Sequence, residues 1–222
     1  MTVDDMYKIC QYAINKAQNG SLTPSEFNLL VEQAQNSWAD YLIGEFQQYQ
    51  YQRAQSRVSY GQNSNVRQRL QPFIYNTNLT VDVNGFVQYP GDYLQYDAMW
   101  TMYGFQRIRW TAQDKLYSMY NSQIDPVQSN PIFMIEDNGM RFFPNNIAAA
   151  RMSYIKKPTR IYWGFTIDGN GRKVYSPALS EQPKWSDLDL LEIIARILKL
   201  TGVNLKDGDV LQYANSIIQQ GQ

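Results

Sequence analysis

KWSDLDLLEIIARILKLT, residues Lys184 to Thr201, reads as a helix with its start and stop signals beside it. Ser186 is placed as the N-cap, with Asp189 three residues on in a capping-box-like pair. Trp185 precedes the cap, in position to staple onto Leu190. Leu188, Leu191, Ile194, Ala195 and Leu198 form one face, and Leu190, Ile193, Ile197 and Leu200 widen it. A helix apolar over most of its circumference belongs inside a protein. Gly202 stands where a left-handed C′ residue ends such a helix. The expectation is a buried central support to which the other helices dock, structural rather than catalytic.

Outward from that helix, size and composition set bounds. With 222 residues the chain can bury roughly 70% of its unfolded surface without staples. Its 17 tyrosines suit either surfaces that meet another protein or a sheet rich in aromatic cross-strand pairs. Lys+Arg and Asp+Glu both number 20, so no basic excess drives tight binding to nucleic acid. Near-zero net charge also offers little repulsion against association, which fits a subunit. Cys10, the single cysteine, excludes an intrachain disulfide framework and sits in a helical apolar pattern. No signal-peptide pattern and no membrane-length apolar run is present, so folding in a cytoplasm is expected, with no membrane partner.

Toward the N-terminus, Thr2 and Asp5 open a helix with Met6, Ile9, Cys10, Ala13 and Ala17 as its apolar stripe, stopped by Asn19-Gly20. Thr23-Pro24-Ser25-Glu26 places a cap, an N1 proline and a capping glutamate in register. The helix that follows carries Phe27, Leu30, Val31, Ala34, Trp38, Tyr41 and Leu42 at helical spacing. From Gln47 to Gln71 the chain is rich in Gln, Tyr and Arg and has no acid. It reads as a polar arm that orders against a neighbouring subunit. A basic aromatic strip touching nucleic acid, or the solvated end of a long helix followed by a loop, fits the same residues.

After Pro72 the period shifts to two. Leu79–Val83 and Phe86–Tyr89 flank Asn84-Gly85, a strong hairpin signal. Ala98–Trp110 reads as a strand run, Ala112 to about Tyr120 as a short helix, and Ala148–Ile155 as a further strand. Ile132–Glu136 with Met140–Phe143, and Arg160–Phe165 with Arg172–Tyr175, read as two more hairpins. Asp207–Gln219 reads as a last amphipathic helix. The order predicts an α+β fold: a helical bundle formed by the N- and C-terminal helices, with an inserted antiparallel β domain. The expected boundaries are 1–71 for the N-terminal helices and arm, 72–180 for the insertion, and 181–222 for a C-terminal helix pair. That pair is expected to pack on the N-terminal helices as one structural unit.

Chemistry is scarce. The chain has no histidine, which removes Ser-His-Asp and Cys-His catalysis and histidine metal sites. One cysteine cannot make a zinc cluster, and neither a P-loop nor a dinucleotide fingerprint is present. Asp168-Gly169-Asn170-Gly171 lacks the alternating acids of a calcium loop and is better explained as a turn. Glu136 and Asp137 do not suit a glycosidase pair: as sequence neighbours on a strand end they point to different faces, and the turn explains Asp137. Lys156-Lys157-Pro158 reads as a strand terminus rather than a phosphate site. No enzyme, cofactor or metal is expected.

LTPSEFN (Leu22–Asn28), YPGDYLQYDAMW (Tyr89–Trp100), SQIDPVQSNPIFMIEDNGMRFFP (Ser122–Pro144), YIKKP (Tyr154–Pro158) and WSDLDLLEIIARILKLTGVNL (Trp185–Leu205) together resemble virion structural proteins of crAss-like podoviruses that infect Bacteroidetes. A helical body with a β insertion is also similar to the ring-forming head-to-tail connector and tail-adaptor proteins of short-tailed phages. The resemblance covers most of the chain, through structural motifs. It implies copies of the chain in a cyclic, dodecameric ring at the portal vertex of the virion tail, assembled in the host cytoplasm. Such a ring forms part of the DNA ejection conduit, contacts the portal and other tail or ring proteins, and touches passing genomic DNA weakly. In such rings arms and hairpins reach neighbouring subunits and rings. The expected contact residues are therefore Tyr49, Tyr51, Arg53, Arg57 and Tyr60 in the arm, and Asn84, Gly85, Asp168 and Asn170 at hairpin tips. A competing expectation is a carbohydrate- or host-surface-binding module that grips its ligand with Tyr162, Trp163, Phe165 and Tyr175. A third is an enzyme with a carboxylate pair drawn from distant segments.

Overall fold

The computed structural model describes residues 1–16, 20–51, 57–120, 122 and 124–202, with side chains described at all of these outside 46–63. The expected helix at Asp207–Gln219 lies outside the described residues. The fold is α+β, and its residue contacts divide into two compact units. One comprises Met1–Pro72 with Pro158–Gln222, the other Phe73–Lys157.

In the first unit, α1 (Val3–Lys16) starts at a reciprocal cap. Thr2 donates through N and Oγ1 to Asp5 Oδ2, and the Asp5 N–H returns to Thr2 Oγ1. Its buried stripe is Val3, Met6, Tyr7, Cys10 and Ile14, so Tyr7 faces inward and the expected Ile9 faces out. Thr23 and Glu26 repeat the reciprocal cap at the start of α2 (Pro24–Tyr51). α2 buries Phe27, Val31, Ala34, Trp38 and Leu42, whereas Tyr41 is exposed. α3 spans Arg57–Leu70. With the end of α2 it makes most of the Gln47–Gln71 stretch helical. Gln and Arg are good helix formers, no proline interrupts them before Pro72, and Val66 and Leu70 supply buried anchors.

α5 (Asp187–Leu200) begins where expected: Ser186 Oγ accepts the Asp189 N–H and donates to the Asp189 carboxylate. It ends at Gly202, whose φ is +72° and whose N–H reaches Lys199 O. It packs on α2 and α1. Burial is one-sided, however. Leu190, Ile193, Ile194, Ile197 and Leu198 are inside, while Leu188 and Leu191 are 69% and 52% exposed. At 100° per residue Leu188 and Ala195 fall opposite the buried face, and Leu191 falls on its flank beside Leu198. The helix is therefore the wall of a core rather than an element enclosed on all sides.

The Arg160–Tyr175 region also belongs to this first unit and not to the sheet insertion expected over 72–180. Only β8 (Phe165–Ile167) and β9 (Lys173–Tyr175) pair as strands there. Upstream, the backbone finds side-chain partners on α2 in place of a ladder. Asn28 Nδ2 donates to Trp163 O (3.1 Å), the Trp163 N–H donates to Asn28 Oδ1 (2.8 Å), and Gln35 Nε2 donates to Thr159 O (2.9 Å). These buried amides explain why an apolar, alternating run is not a strand.

The second unit carries two sheets and α4 (Gln113–Tyr120). The first sheet has order β1-β7-β3, from Ile74–Thr80, Ala149–Lys156 and Tyr93–Thr101, all antiparallel. The second has order β2-β6-β5-β4, from Phe86–Gln88, Gly139–Phe143, Ile132–Glu136 and Arg109–Trp110, and its β4-β5 pair is parallel. One core draws on both sheets: Leu79, Val87, Met99, Ile108, Phe133, Met140, Phe142, Ile147, Ala150, Met152 and Tyr154.

The expected hairpin across Asn84-Gly85 is corrected here. The turn is present, but β1 pairs with β7 and β2 with β6, so the turn is a corner between sheets. Asp82 accepts from the N–H groups of Asn84 and Phe86, while Gly85 O takes the Phe142 N–H at 2.7 Å and commits the chain to β6. Ala98–Trp110 likewise is not one strand: it reverses at Gly104 (φ 83°) and Phe105 (φ 50°), then crosses to the second sheet.

Candidate functional site

Five of the nine expected contact residues fall on the arm. Tyr49 and Tyr51 lie at the end of α2, Arg57 and Tyr60 at the start of α3, and Arg53 lies outside the described residues. At the tips, Asn84 is exposed and lines a surface cavity of about 550 Å³ with Tyr120, Arg141 and Phe143. Gly85 is buried, and a Cβ there would meet Phe142 O at 2.9 Å and the Asn145 side chain at 3.1 Å. It shapes the corner. Asp168 is half-buried, with Oδ1 accepting from the N–H groups of Asn170 (2.9 Å) and Arg172 (2.8 Å), while Asn170 is exposed. Asp82 and Asp168 thus build the same aspartate-anchored turn, each followed three residues on by a glycine at φ 77° or 78°.

A groove of about 550 Å³ lies in the helical unit. Trp38, Tyr41, Leu42 and Glu45 of α2, Asn65, Val66 and Arg69 of α3, and Glu192 and Arg196 of α5 line it. Its floor is a stack: the Trp38 and Tyr41 rings lie 5.3 Å apart at 14°. The Arg196 guanidinium carbon sits 5.1 Å from the Trp38 centroid, with Arg69 5.9 Å away. Arg196 Nη1 donates to Ser37 Oγ (2.9 Å), and Arg69 Nη1 lies 3.8 Å from the fully buried Asp189 carboxylate. Trp38 is only 4% exposed, and its Nε1–H has no acceptor; neither does the buried Nε–H of Arg196.

No protein-family model matches this chain, nor does any curated protein sequence.

Glu136 holds Arg141 across the β5-β6 pair through two bonds of 2.6 and 2.9 Å. Burial pushes the Cys10 thiol up to about 12, far from a reactive thiolate. Among the described residues no cluster of His, Cys, Asp or Glu is arranged to hold a metal ion, and no helix is long and apolar enough to cross a membrane.

The four aromatics expected to grip a ligand form no open platform. Trp163 is buried against Tyr7 (4.6 Å) and donates through Nε1 to Asp4. Phe165 and Tyr175 are half-buried and tilted 31° to Trp163, and the Arg160 guanidinium covers Tyr162 at 4.3 Å. The groove itself was hidden in the sequence. Trp38 and Tyr41 read as positions of an apolar stripe, and no local pattern singles out Arg196. Only packing brings residues from three distant segments together.

Proposed function

We propose that the chain is a structural component of a phage virion: a ring-forming head-to-tail connector or tail-adaptor subunit that builds part of the DNA conduit and docks the next tail protein. The finer architecture this reading calls for is a bundle of N- and C-terminal helices carrying an inserted β unit. The phage assignment rests on the sequence resemblance; the assembling role rests on one structural observation. At the β3 turn, Tyr103 and Phe105 are 81% and 79% exposed beside Met102. The turn is a built one. Thr101 Oγ1 donates to Tyr103 O and accepts the Gln106 N–H, and Phe105 sits at φ 50°. A bulky residue in that region costs about 1–3 kcal/mol. An aromatic tip held out in this way suits contact with another protein. The carbohydrate-binding reading loses its main support with the burial of Trp163.

The test is solution mass by light scattering behind a sizing column, at several concentrations, for the wild type and Tyr103→Ser/Phe105→Ser. A large discrete oligomer imaged as a closed ring, and shifted toward monomer in the variant, is the expected result. A monomer at every concentration that is retained on a glycan column would overturn it.

A further inference from the structure

We propose that the outer edge of β1 pairs antiparallel with β1 of a second copy of this chain, across a two-fold axis at Thr77. The pairing is independent of the ring reading, which rests on the turn after β3.

The ladder fixes which backbone groups are left over. The Val81 N–H bonds to Ala148 O and the Met102 N–H to Ala149 O, so even-numbered residues along β7 serve β1 and odd-numbered ones serve β3. In the β1 register this turns Tyr75, Thr77 and Leu79 toward Tyr154, Met152 and Ala150. The N–H and C=O groups of Asn76, Asn78 and Thr80 therefore point away from β7, and among the described residues nothing bonds to them. A row of this kind is a template for another strand. The other sheet edges are protected or short. β3 carries two register shifts, and the Thr101 and Ile108 N–H groups close its end onto Gln106 O and Met99 O. β2 and β4 have three and two residues. β1 runs for seven residues in unbroken register, with no proline and no charge.

The strand's own symmetry selects the occupant. Ile74-Tyr75-Asn76-Thr77-Asn78-Leu79-Thr80 has the same pattern in both directions: β-branched, large apolar, Asn, then Thr at the centre. A two-fold at Thr77 sets Thr77 against itself, Asn76 against Asn78, Tyr75 against Leu79 and Ile74 against Thr80 of the second copy. Thr–Thr, amide–amide and aromatic–aliphatic pairs are favourable across strands. Asn76 and Asn78 of each copy then exchange both backbone bonds, and the Thr80 N–H meets the Ile74 carbonyl of the second copy. An axis moved to Asn76 would set Thr80 against Pro72, and one at Asn78 would set Ile74 against Asp82, so each loses part of the match. Close to the axis a charged side chain would meet its own copy, and β1 has none; Arg151 and Lys156 lie on β7, one strand behind the seam. Tyr75, 51% exposed at the edge, gains cover from the second copy.

The test is disulfide trapping of the full chain, read as a doubled mass on a non-reducing denaturing gel, a readout that does not depend on whether a ring forms. Cys10 is fully buried and does not compete. Directly opposed residues in a non-hydrogen-bonded antiparallel pair have Cα atoms about 4.5 Å apart, inside disulfide reach. Thr77→Cys should therefore cross-link to itself. Asn76→Cys alone should not, because the offset along the strands puts its two copies roughly 8 Å apart. Mixed with Asn78→Cys, it should cross-link. Added to Thr77→Cys, Asn76→Lys/Asn78→Lys should slow trapping about tenfold, whereas Asn76→Lys/Asn78→Glu, which opposes unlike charges across the axis, should keep it. No dimer band from either Thr77→Cys or the mixture would overturn the pairing. So would self-cross-linking of Asn76→Cys as fast as that of Thr77→Cys, or equal trapping in the Lys/Lys and Lys/Glu forms.

Discussion

Asn28 is a polar residue inside the helical unit that bonds to backbone on a distant segment, and replacing it tests how that unit is held together. Its amide donates to Trp163 O and accepts from Trp163 N, in a pair buried from solvent. Asn28→Ala strands one backbone donor and one acceptor. Each unmet group costs about 1–3 kcal/mol, and partial relaxation keeps the sum near 2–4 kcal/mol. For a chain of this length that corresponds to roughly 6–12 °C in melting temperature. Asn28→Asp should be worse at neutral pH, because a carboxylate oxygen then faces Trp163 O where Nδ2 stood, 3.1 Å away. The assay is urea and thermal unfolding followed by far-UV circular dichroism, with the exposed Gln33→Ala on the same helix as reference. If Asn28→Ala fell within about 0.5 kcal/mol of that reference, the view that α2 amides replace a strand ladder for residues 159–163 would be wrong.

Two further predictions concern packing and pH. Gly139 opens β6 where an added Cβ would collide with the Phe86 ring and Val87 O, so Gly139→Ala should cost about 1–3 kcal/mol by overpacking, read as a lower thermal midpoint. Glu26 is held below its usual value of 4.5, first by the Thr23 hydroxyl and then by the Thr23 N–H. A depressed carboxyl stabilises the fold fully above the ordinary carboxylate range and loses that contribution as pH falls through its folded value. Glu26→Gln should therefore flatten the acid side of a stability-versus-pH curve measured by urea midpoints; an unchanged acid slope would exclude this cap as a contributor.

The sequence by itself determined the elements whose causes are local. The Thr2, Thr23 and Ser186 caps and the turns at Asp82 and Asp168 follow from side chains bonding to backbone a few residues away, and the Gly202 stop and the β5-β6 turn from residues at positive φ, Gly202 (72°) and Asn138 (58°). The α+β class followed from the change of hydrophobic period after Pro72. Tertiary structure decided what depends on distant partners. Asn84-Gly85 marks a turn in either case, but only the competition of β6 and β7 for strand edges makes it a corner rather than a hairpin. Arg160–Gly164 has strand composition, yet Asn28 and Gln35 take its backbone groups first. Leu188 and Leu191 look like core by period, and face outward because α2 and α1 cover only one side of α5. The groove has the same origin: Trp38, Arg69 and Arg196 are separated by long stretches of chain, and no local pattern records that three helices bring them to one wall.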